Sequence, residues 1–141
     1  MKKVAIIGAG QVAEKVHAAY YLTKPETFQL VAVVDPNLAR AELFCQRNQF
    51  KQAYTSTTEM LIEEQPDIVS VCTPNRFHYD SVMSALAAGC SVFCEKPPAM
   101  TSLEAENMWK LAEKKSVFLA YDFQHRYSPE AQMLKENIAL L

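Results

Sequence analysis

Glycine, cysteine and net charge are all scarce in this sequence. Among its 141 residues there are three glycines and four cysteines, and the formal net charge is −2. A charge so close to neutrality provides no basic field for a nucleic-acid backbone, so we expect no nucleic-acid partner. Long apolar runs are missing as well: the stretch after Lys3 ends at Gly8, too short for a signal-peptide core or a membrane span. We therefore expect no membrane partner and a cytoplasmic location.

The four cysteines do not form a metal-binding pattern. Their spacing differs from that of paired-thiol metal sites, and three of them fall in or beside apolar, strand-like runs. An extended segment would hold the Cα atoms of the closest pair about 13 Å apart, which is beyond the reach of a disulfide. We predict no metal site, and reduced thiols at Cys45, Cys72, Cys90 and Cys94.

The sequence does contain an apolar run that leads directly into a glycine turn. The run VAII precedes GAGQVA, in which Gly8, Gly10 and Ala13 hold the three small positions of a Gly-x-Gly-x-x-Ala fingerprint. Glycine lets the backbone approach a pyrophosphate, and the helix that starts there offers free N–H groups and a positive dipole end. Asp35, after a second apolar run, lies 35 − 13 = 22 positions beyond Ala13. The acid that binds the adenosine ribose is expected about 20 positions on.

The same turn has a plainer interpretation. Many α/β proteins have a glycine turn between a strand and a helix and bind nothing there, and the fingerprint alone does not separate the two cases. The apolar strand before the turn, the helical pattern after it and the acid at Asp35 together favour the nucleotide. We therefore predict a dinucleotide site.

Strand-like and helix-like segments alternate along the whole chain, as in βαβ proteins. A content of 50% hydrophobic and 21% charged residues fits one well-buried domain. Asn37 is a predicted helix cap, and Ser56 with Glu59 and Thr101 with Glu104 have capping-box spacing. We predict strands at 3–7, 29–34, 52–54, 68–72, 91–94 and 117–122. Right-handed crossovers then give an α/β, doubly wound, mostly parallel sheet of order 3-2-1-4-5-6, with helices on both faces and a crevice above strands 1 and 4.

Ligands of such sheets bind at the carboxyl ends of the strands. The loops after strands 4, 5 and 6 begin with TPNRFH, EKPP and QHRYSP. Together with GAGQVA and Asp35, these motifs resemble the Gfo/Idh/MocA oxidoreductase family over nearly the whole chain. The resemblance implies a two-domain enzyme with an N-terminal Rossmann domain and a second domain that carries most of the substrate site. We predict a dinucleotide-binding domain over 1–123, and over 124–141 a strand 6 exit loop and a helix leading toward an absent second domain.

The resemblance also implies where the cofactor lies. The pyrophosphate would be held by the turn through Gly8, Gly10, Gln11 and Val12. The middle of the cofactor and the nicotinamide ribose would lie against Thr73, Pro74 and Asn75. Asp35 would hold the adenosine ribose and repel a 2′-phosphate, so NAD is expected and NADP is less favoured. Arg40, one turn into the next helix, is the residue that would reverse this preference by reaching the phosphate.

Lys96 is the predicted catalytic residue. The resemblance implies that Glu95 and Lys96 lie by the nicotinamide, with Lys96 donating to a substrate hydroxyl or carbonyl oxygen. The charge that develops on that oxygen during hydride transfer needs a fixed cation. The plainer alternative is a solvated lysine near a turn. Its position between Glu95 and two prolines, at the carboxyl end of a strand, favours the site.

Four other polar residues have less specific assignments. His78 either faces the cofactor or bonds to neighbouring backbone, and the structural role is slightly preferred. Arg126 matches the family pattern and is either a site residue or an ion-pair partner. Gln124 is a further candidate for the nicotinamide contact, at a position where asparagine is common in the family. His17, on the first helix, is expected to pack or to cap rather than to catalyse.

These motifs support two functional hypotheses. The first is the cofactor domain of an NAD-dependent dehydrogenase that acts on a sugar, a cyclitol or a related polyol. The family's acid/base histidine belongs to an Asp-x-x-x-His pattern of the second domain, which does not occur before Leu141, so we expect this chain alone to be inactive. The second is a stand-alone module that binds or senses a dinucleotide without catalysis. Apolar surface near the strand 5 and 6 loops favours a homo-oligomer.

Overall fold

The computed structural model describes residues 1–138, so the last three positions of the predicted C-terminal helix, 139–141, lie outside the described residues. Six strands form one parallel sheet in the order β3-β2-β1-β4-β5-β6. The predicted α/β fold and strand order are therefore confirmed. The strands are β1 (Lys2–Ile7), β2 (Phe28–Val34), β3 (Gln52–Tyr54), β4 (Ile68–Val71), β5 (Ser91–Cys94) and β6 (Leu119–Tyr121).

Helical segments fill the connections between the strands. After β1 the chain forms a π-helical segment, Ala13–Ala18, that continues into α1 (Ala19–Leu22), where the sequence predicts an ordinary helix. Short 3₁₀ turns, Asn75–Phe77 and Gln124–Tyr127, follow β4 and β6. The remaining helices are α2 (Leu38–Asn48), α3 (Thr57–Glu64), α4 (His78–Ala87), α5 (Ser102–Lys115) and α6 (Pro129–Ile138).

Three helices begin at the predicted caps. The side chains of Asn37 and Ser56 accept a backbone N–H from the first turn of α2 and α3, at 3.1 and 3.3 Å. Thr101 forms a complete capping box with Glu104 at the start of α5. Each cap of this kind contributes about 1 kcal/mol. The caps therefore fix where these helices begin, and with that the length of the loop before each of them.

The sheet separates two hydrophobic clusters, and β1 contributes to both. Ala5 and Ile7 pack into the larger cluster with Met60, Leu86 and Met108 of α3, α4 and α5. Ile6 points to the other face, where the first helix and α2 cover it. Successive strand residues face opposite sides, so a strand covered on both faces must be apolar throughout. This requirement explains why β1 is a continuous apolar run, and the predicted helices on both faces are confirmed.

The last strand is shorter than the predicted 117–122. Val117 belongs to the exit from α5, since Ser116 has a left-handed φ of 55° and the Val117 N–H donates to the Ala112 carbonyl at 3.1 Å. At the other end the Asp122 N–H still bonds to the Cys94 carbonyl at 2.9 Å, where the chain leaves the sheet. This bond places Asp122 beside the residue that follows β5.

The cysteine side chains are free thiols, and most of them are buried. All four cysteines are free, as predicted, and three are buried while Cys72 is half-buried. Burial raises the pKa of Cys45 and Cys90 to about 11 and that of Cys94 to about 12, so these thiols stay protonated at neutral pH. Within residues 1–138, no helix has both the length and the apolar character that crossing a bilayer requires.

Candidate functional site

The glycine turn after β1 closes against the end of β4. Gly8 has a φ of +99°, and its N–H donates to the Val34 carbonyl at 2.7 Å. A Cβ added to Gly8 would lie 2.7 Å from the carbonyl oxygen of Cys72, which is backbone and cannot move aside. Only glycine fits both the dihedral angle and the close approach. Gly8 therefore brings the carboxyl ends of β1 and β4 together.

The first helix presents open backbone donors next to this turn. The Glu14 N–H bonds back to the Gly10 carbonyl at 3.1 Å, and no side chain caps this end of the helix. The first N–H groups of a helix have no partner within the helix. A Cβ on Gly10 would meet no atom within 4 Å, so the space in front of these amides is open. The arrangement suits a phosphate group.

Asp35 fixes the turn from the end of β2. Its carboxylate is buried, and it accepts the Ala9 N–H at 3.1 Å and the Asn37 N–H at 2.9 Å. Arg40 Nη1 lies 3.6 Å from the same carboxylate. The sequence analysis identified Arg40 as a residue that would reverse the NAD preference by reaching a 2′-phosphate, and the structure places it beside Asp35. The carboxylate keeps acceptor positions for a ribose hydroxyl, with a positive charge next to it.

The loop after β4 contains a polar atom without a partner. Thr73 Oγ1 is buried and makes no hydrogen bond to the described residues. Pro74 and Asn75 follow it on an exposed 3₁₀ turn. A buried hydroxyl without a partner is uncommon, because it loses its bonds to water and gains none in return. A ligand atom in the crevice would supply the missing bond.

His78 joins two of the predicted loops rather than facing the crevice. The ring is fully buried, with Nδ1 2.7 Å from the Pro97 carbonyl oxygen and Nε2 2.8 Å from the Thr73 carbonyl oxygen. Both partners are acceptors, so a ring nitrogen that bears a proton donates to the carbonyl that it faces. Of the two roles considered for His78, the geometry is that of bonding to neighbouring backbone. It ties the TPN loop to the EKP loop.

Lys96 lies in an open cavity of about 530 Å³ at the carboxyl ends of β5 and β6. The predicted candidates Gln124 and Arg126 line the same cavity, and so do Asp122 and His125. Two loops that are distant in sequence, those after β5 and β6, therefore converge on one space. The cavity is large enough for a sugar-sized group beside the ammonium of Lys96.

Glu95 is engaged by other side chains and by backbone of the protein. One carboxylate oxygen lies 3.1 Å from His17 Nε2, and the other accepts the Lys96 N–H at 3.3 Å. The His17 ring packs on Phe93 with ring centroids 5.2 Å apart. His17, expected to pack or cap, thus packs and also holds Glu95. One side-chain nitrogen or oxygen atom from each of His17, Glu95 and Asp122 lies within 4.8 Å of the other two.

Asp122 is the site residue that the sequence analysis missed. With its amide oriented toward Asp122, Gln124 donates to both carboxylate oxygens, at 2.7 and 2.9 Å. Burial, and after it the neighbouring charge of Glu95, raises the pKa of Asp122, while His17 and Lys96 act in the opposite direction. Asp122 is an acid at the carboxyl end of β6, as Asp35 is at the carboxyl end of β2, but the predicted strand 117–122 included it.

Three features together fit a dinucleotide: the backbone N–H groups at the start of the helix after β1, the Asp35 carboxylate and the Thr73 hydroxyl that has no partner. They lie at the carboxyl ends of β1, β2 and β4, where the strand order reverses direction. This edge of a doubly wound sheet is where such ligands bind. Open amides, a carboxylate and a hydroxyl without a partner thus lie at the ends of neighbouring strands.

Comparisons with known proteins agree with this fit. A protein-family model described as an oxidoreductase family with an NAD-binding Rossmann fold matches residues 2–123. D-glucoside 3-dehydrogenase of Escherichia coli strain K12 is 48% identical over 136 residues, 96% of this chain and 38% of that enzyme. The solved structure of the WlbA dehydrogenase from Chromobacterium violaceum, in complex with NADH and UDP-GlcNAcA, has a TM-score of 0.89 at 27% identity and covers 96% of this chain and 39% of that one.

An NAD binding oxidoreductase from Klebsiella pneumoniae has a TM-score of 0.80 at 30% identity, covering 98% of this chain and 38% of that one. The chain therefore spans about two fifths of the length of the relatives it matches. The matched part of each relative corresponds to the six-stranded sheet and its helices.

Proposed function

The chain belongs to the Gfo/Idh/MocA family of oxidoreductases and forms an NAD-binding Rossmann domain, and we propose that this domain serves hydride transfer between a nicotinamide cofactor and a sugar or polyol carbon. The proposal rests on one observation above all. The open helix amides at Gly10, the Asp35 carboxylate and the unpartnered Thr73 hydroxyl lie at the carboxyl ends of β1, β2 and β4, and Lys96 lies at the carboxyl end of the next strand, β5.

Each part of the crevice has a role in holding the cofactor. The amides of Gly10, Gln11 and Val12 bind the pyrophosphate, and Gly8 sets the turn that aims them. Asp35 accepts from the adenosine ribose. At the other end Thr73, Pro74 and Asn75 would hold the nicotinamide ribose, and Thr73 Oγ1 would gain its missing partner there. When bound, the nicotinamide ring supplies the hydride acceptor or donor of the reaction.

Lys96 polarises the substrate oxygen. Lys96 lines the cavity, and Glu95, which His17 holds, accepts its backbone N–H at 3.3 Å and so fixes the backbone from which the side chain starts. An ammonium brought next to the substrate oxygen would stabilise the negative charge that develops there during hydride transfer. Glu95 therefore acts by positioning Lys96 and not as a direct ligand of the substrate.

A sugar or polyol is the proposed substrate class. The support is the 48% identity to D-glucoside 3-dehydrogenase, which extends over the Lys96 cavity. We assign the cofactor domain to 1–123 and the path toward a substrate domain to the segment from 124 onward, whose α6 has no buried residue. Such an exposed helix is suited to packing against a further domain or a second copy in a homo-oligomer.

NAD is proposed as the preferred cofactor. The buried Asp35 carboxylate repels a 2′-phosphate, and its two bonds to backbone N–H groups hold it in place. Arg40 offsets part of that repulsion from 3.6 Å away. The preference for NAD over NADP is therefore the balance of these two charges.

Amide NMR of the ¹⁵N-labelled chain titrated with NAD⁺ tests the location of the site. Signals of Gly10, Gln11, Asn75 and Lys96 should shift together with one saturation curve, while the signal of Glu106 on the outer face of α5 stays in place. Shifts confined to other surfaces, or no shift in a folded chain, would contradict the proposed function.

A further inference from the structure

Three ionisable side chains from different parts of the chain meet behind Lys96. His17 comes from the π-helical segment, Glu95 from the end of β5 and Asp122 from the end of β6. The ring nitrogen of His17 and one carboxylate oxygen of each acid lie within 4.8 Å of one another. His17 and Glu95 are buried, and Asp122 also lines the Lys96 cavity. On the other side, Asp122 and His17 line a second cavity with Val16 and Tyr20. The cluster therefore lies between two open spaces.

Two carboxylates at this distance cannot both be ionised without strong repulsion, because little water screens them. One proton shared between Glu95 and Asp122 removes that repulsion and lets the pair titrate as a unit. Burial and the charge of Glu95 raise the pKa of Asp122, which agrees with this geometry. The other titratable or charged groups near the pair are His17, Cys72, Cys94 and Lys96, and His125 and Arg126 line the same cavity as Asp122.

We propose that His17, Glu95 and Asp122 form a proton-sharing cluster that releases a proton when the oxidised cofactor binds and retains it when the reduced cofactor binds. The inference rests on the proposed function, since it places the nicotinamide at the Lys96 cavity. The oxidised nicotinamide ring is positively charged and the reduced ring is neutral. A positive charge placed beside Asp122 favours its carboxylate form.

The proton balance of the cluster complements the proposed reaction. On release, the O–H bond of the shared carboxylic acid breaks, its electron pair stays on the carboxylate, and the proton passes to solvent. Oxidation of a substrate hydroxyl gives up one hydride and one proton. A reduced cofactor would bring no positive charge to the cavity, so the cluster would then hold its proton again. The cluster would thus take up one proton for each substrate hydroxyl that is oxidised, which balances the proton that the substrate gives up.

Proton-linked calorimetry tests this inference without requiring catalysis. The 141-residue chain is titrated with NAD⁺ and with NADH at a series of pH values from about 4 to 7, each in three buffers that differ in ionisation enthalpy, and the slope of the binding enthalpy gives the protons released. At the pH of largest release we expect NAD⁺ to release roughly 0.2 to 1 proton and NADH clearly less. The difference should disappear in Asp122→Asn, which keeps the shape and an acceptor for Gln124.

Glu106→Gln is the matched control, because Glu106 is an exposed carboxylate of α5 that pairs with Lys110. This variant should keep the full difference between NAD⁺ and NADH. Equal proton release with both cofactors, or a difference that survives in Asp122→Asn, overturns the inference while leaving the cofactor site intact. If neither cofactor binds the folded wild-type chain, the proposed function fails, and the inference fails with it.

Discussion

A Cβ built on Gly8 would lie 2.7 Å from the carbonyl oxygen of Cys72, although the two residues belong to different strand ends. Gly8 and Gly10 are therefore not equivalent, despite sharing one fingerprint. Gly8 is required by the fold, since its φ is +99° and its neighbour is backbone. Gly10 has open space in front of it, so its lack of a side chain matters only to a ligand.

This difference predicts opposite results for two substitutions. Gly8→Ala should destabilise the chain by about 3 kcal/mol or more, because strain and a backbone clash act together. Gly10→Val should leave the free energy of unfolding within about 1 kcal/mol of wild type and weaken NAD⁺ binding at least about tenfold. Chemical denaturation and calorimetric titration of both variants measure the two effects. Wild-type affinity in a folded Gly10→Val chain would mean that the open amides do not bind the pyrophosphate.

The second prediction concerns cofactor choice at Asp35. NAD⁺ should bind at least about tenfold more tightly than NADP⁺, and Asp35→Ala should narrow that ratio by removing the repulsive charge. Arg40→Ala should widen it, because the nearby cation favours the phosphate. Asp35 also accepts two backbone N–H groups, so folding of each variant is first checked by circular dichroism. An unchanged ratio in folded Asp35→Ala would remove Asp35 as the determinant.

The positions of Asp35 and Lys96 at the carboxyl ends of β2 and β5 could be predicted from the sequence, because the strand pattern shows where each strand ends. Contacts between distant segments could not be predicted in this way. His17 and Glu95 are 78 positions apart, and nothing in a lone histidine on a helix reveals its partner. Asp122 was missed because β6 was predicted to continue through it. The strand ends at Tyr121, and Asp122 then lies next to Glu95.

The third prediction is that His78 has a large effect on stability. His78→Leu removes the ring that links the carbonyl groups of Thr73 and Pro97, and should cost roughly 1–3 kcal/mol. His78→Gln, which keeps one donor group, should recover part of this loss. Urea denaturation compares both with His125→Leu, in which an exposed histidine is removed and little change is expected. Equal stability of His78→Leu and His125→Leu would contradict the bridging role.

The fourth prediction is a pH dependence of stability at Asp122. Its folded pKa is raised above the unfolded value, so the folded chain binds more protons and its stability falls as pH rises through that interval. Asp122→Asn lacks this loss. The variant should therefore gain stability relative to wild type as pH increases above about 4. Thermal unfolding at a series of pH values measures the gain, and a constant difference at every pH would argue against a carboxyl with raised pKa.

Calorimetric titration of the 141-residue chain with NAD⁺ tests the central claim most directly. The proposed site predicts saturable binding of one NAD⁺ per chain, with a dissociation constant of roughly 1 μM to 1 mM, the range in which enzymes commonly hold their substrates. The same titration of folded Gly10→Val should show that binding is lost or at least tenfold weaker. A folded wild-type chain that binds no NAD⁺ at millimolar concentration, or a variant that binds it equally well, would contradict the assignment of this crevice as the cofactor site.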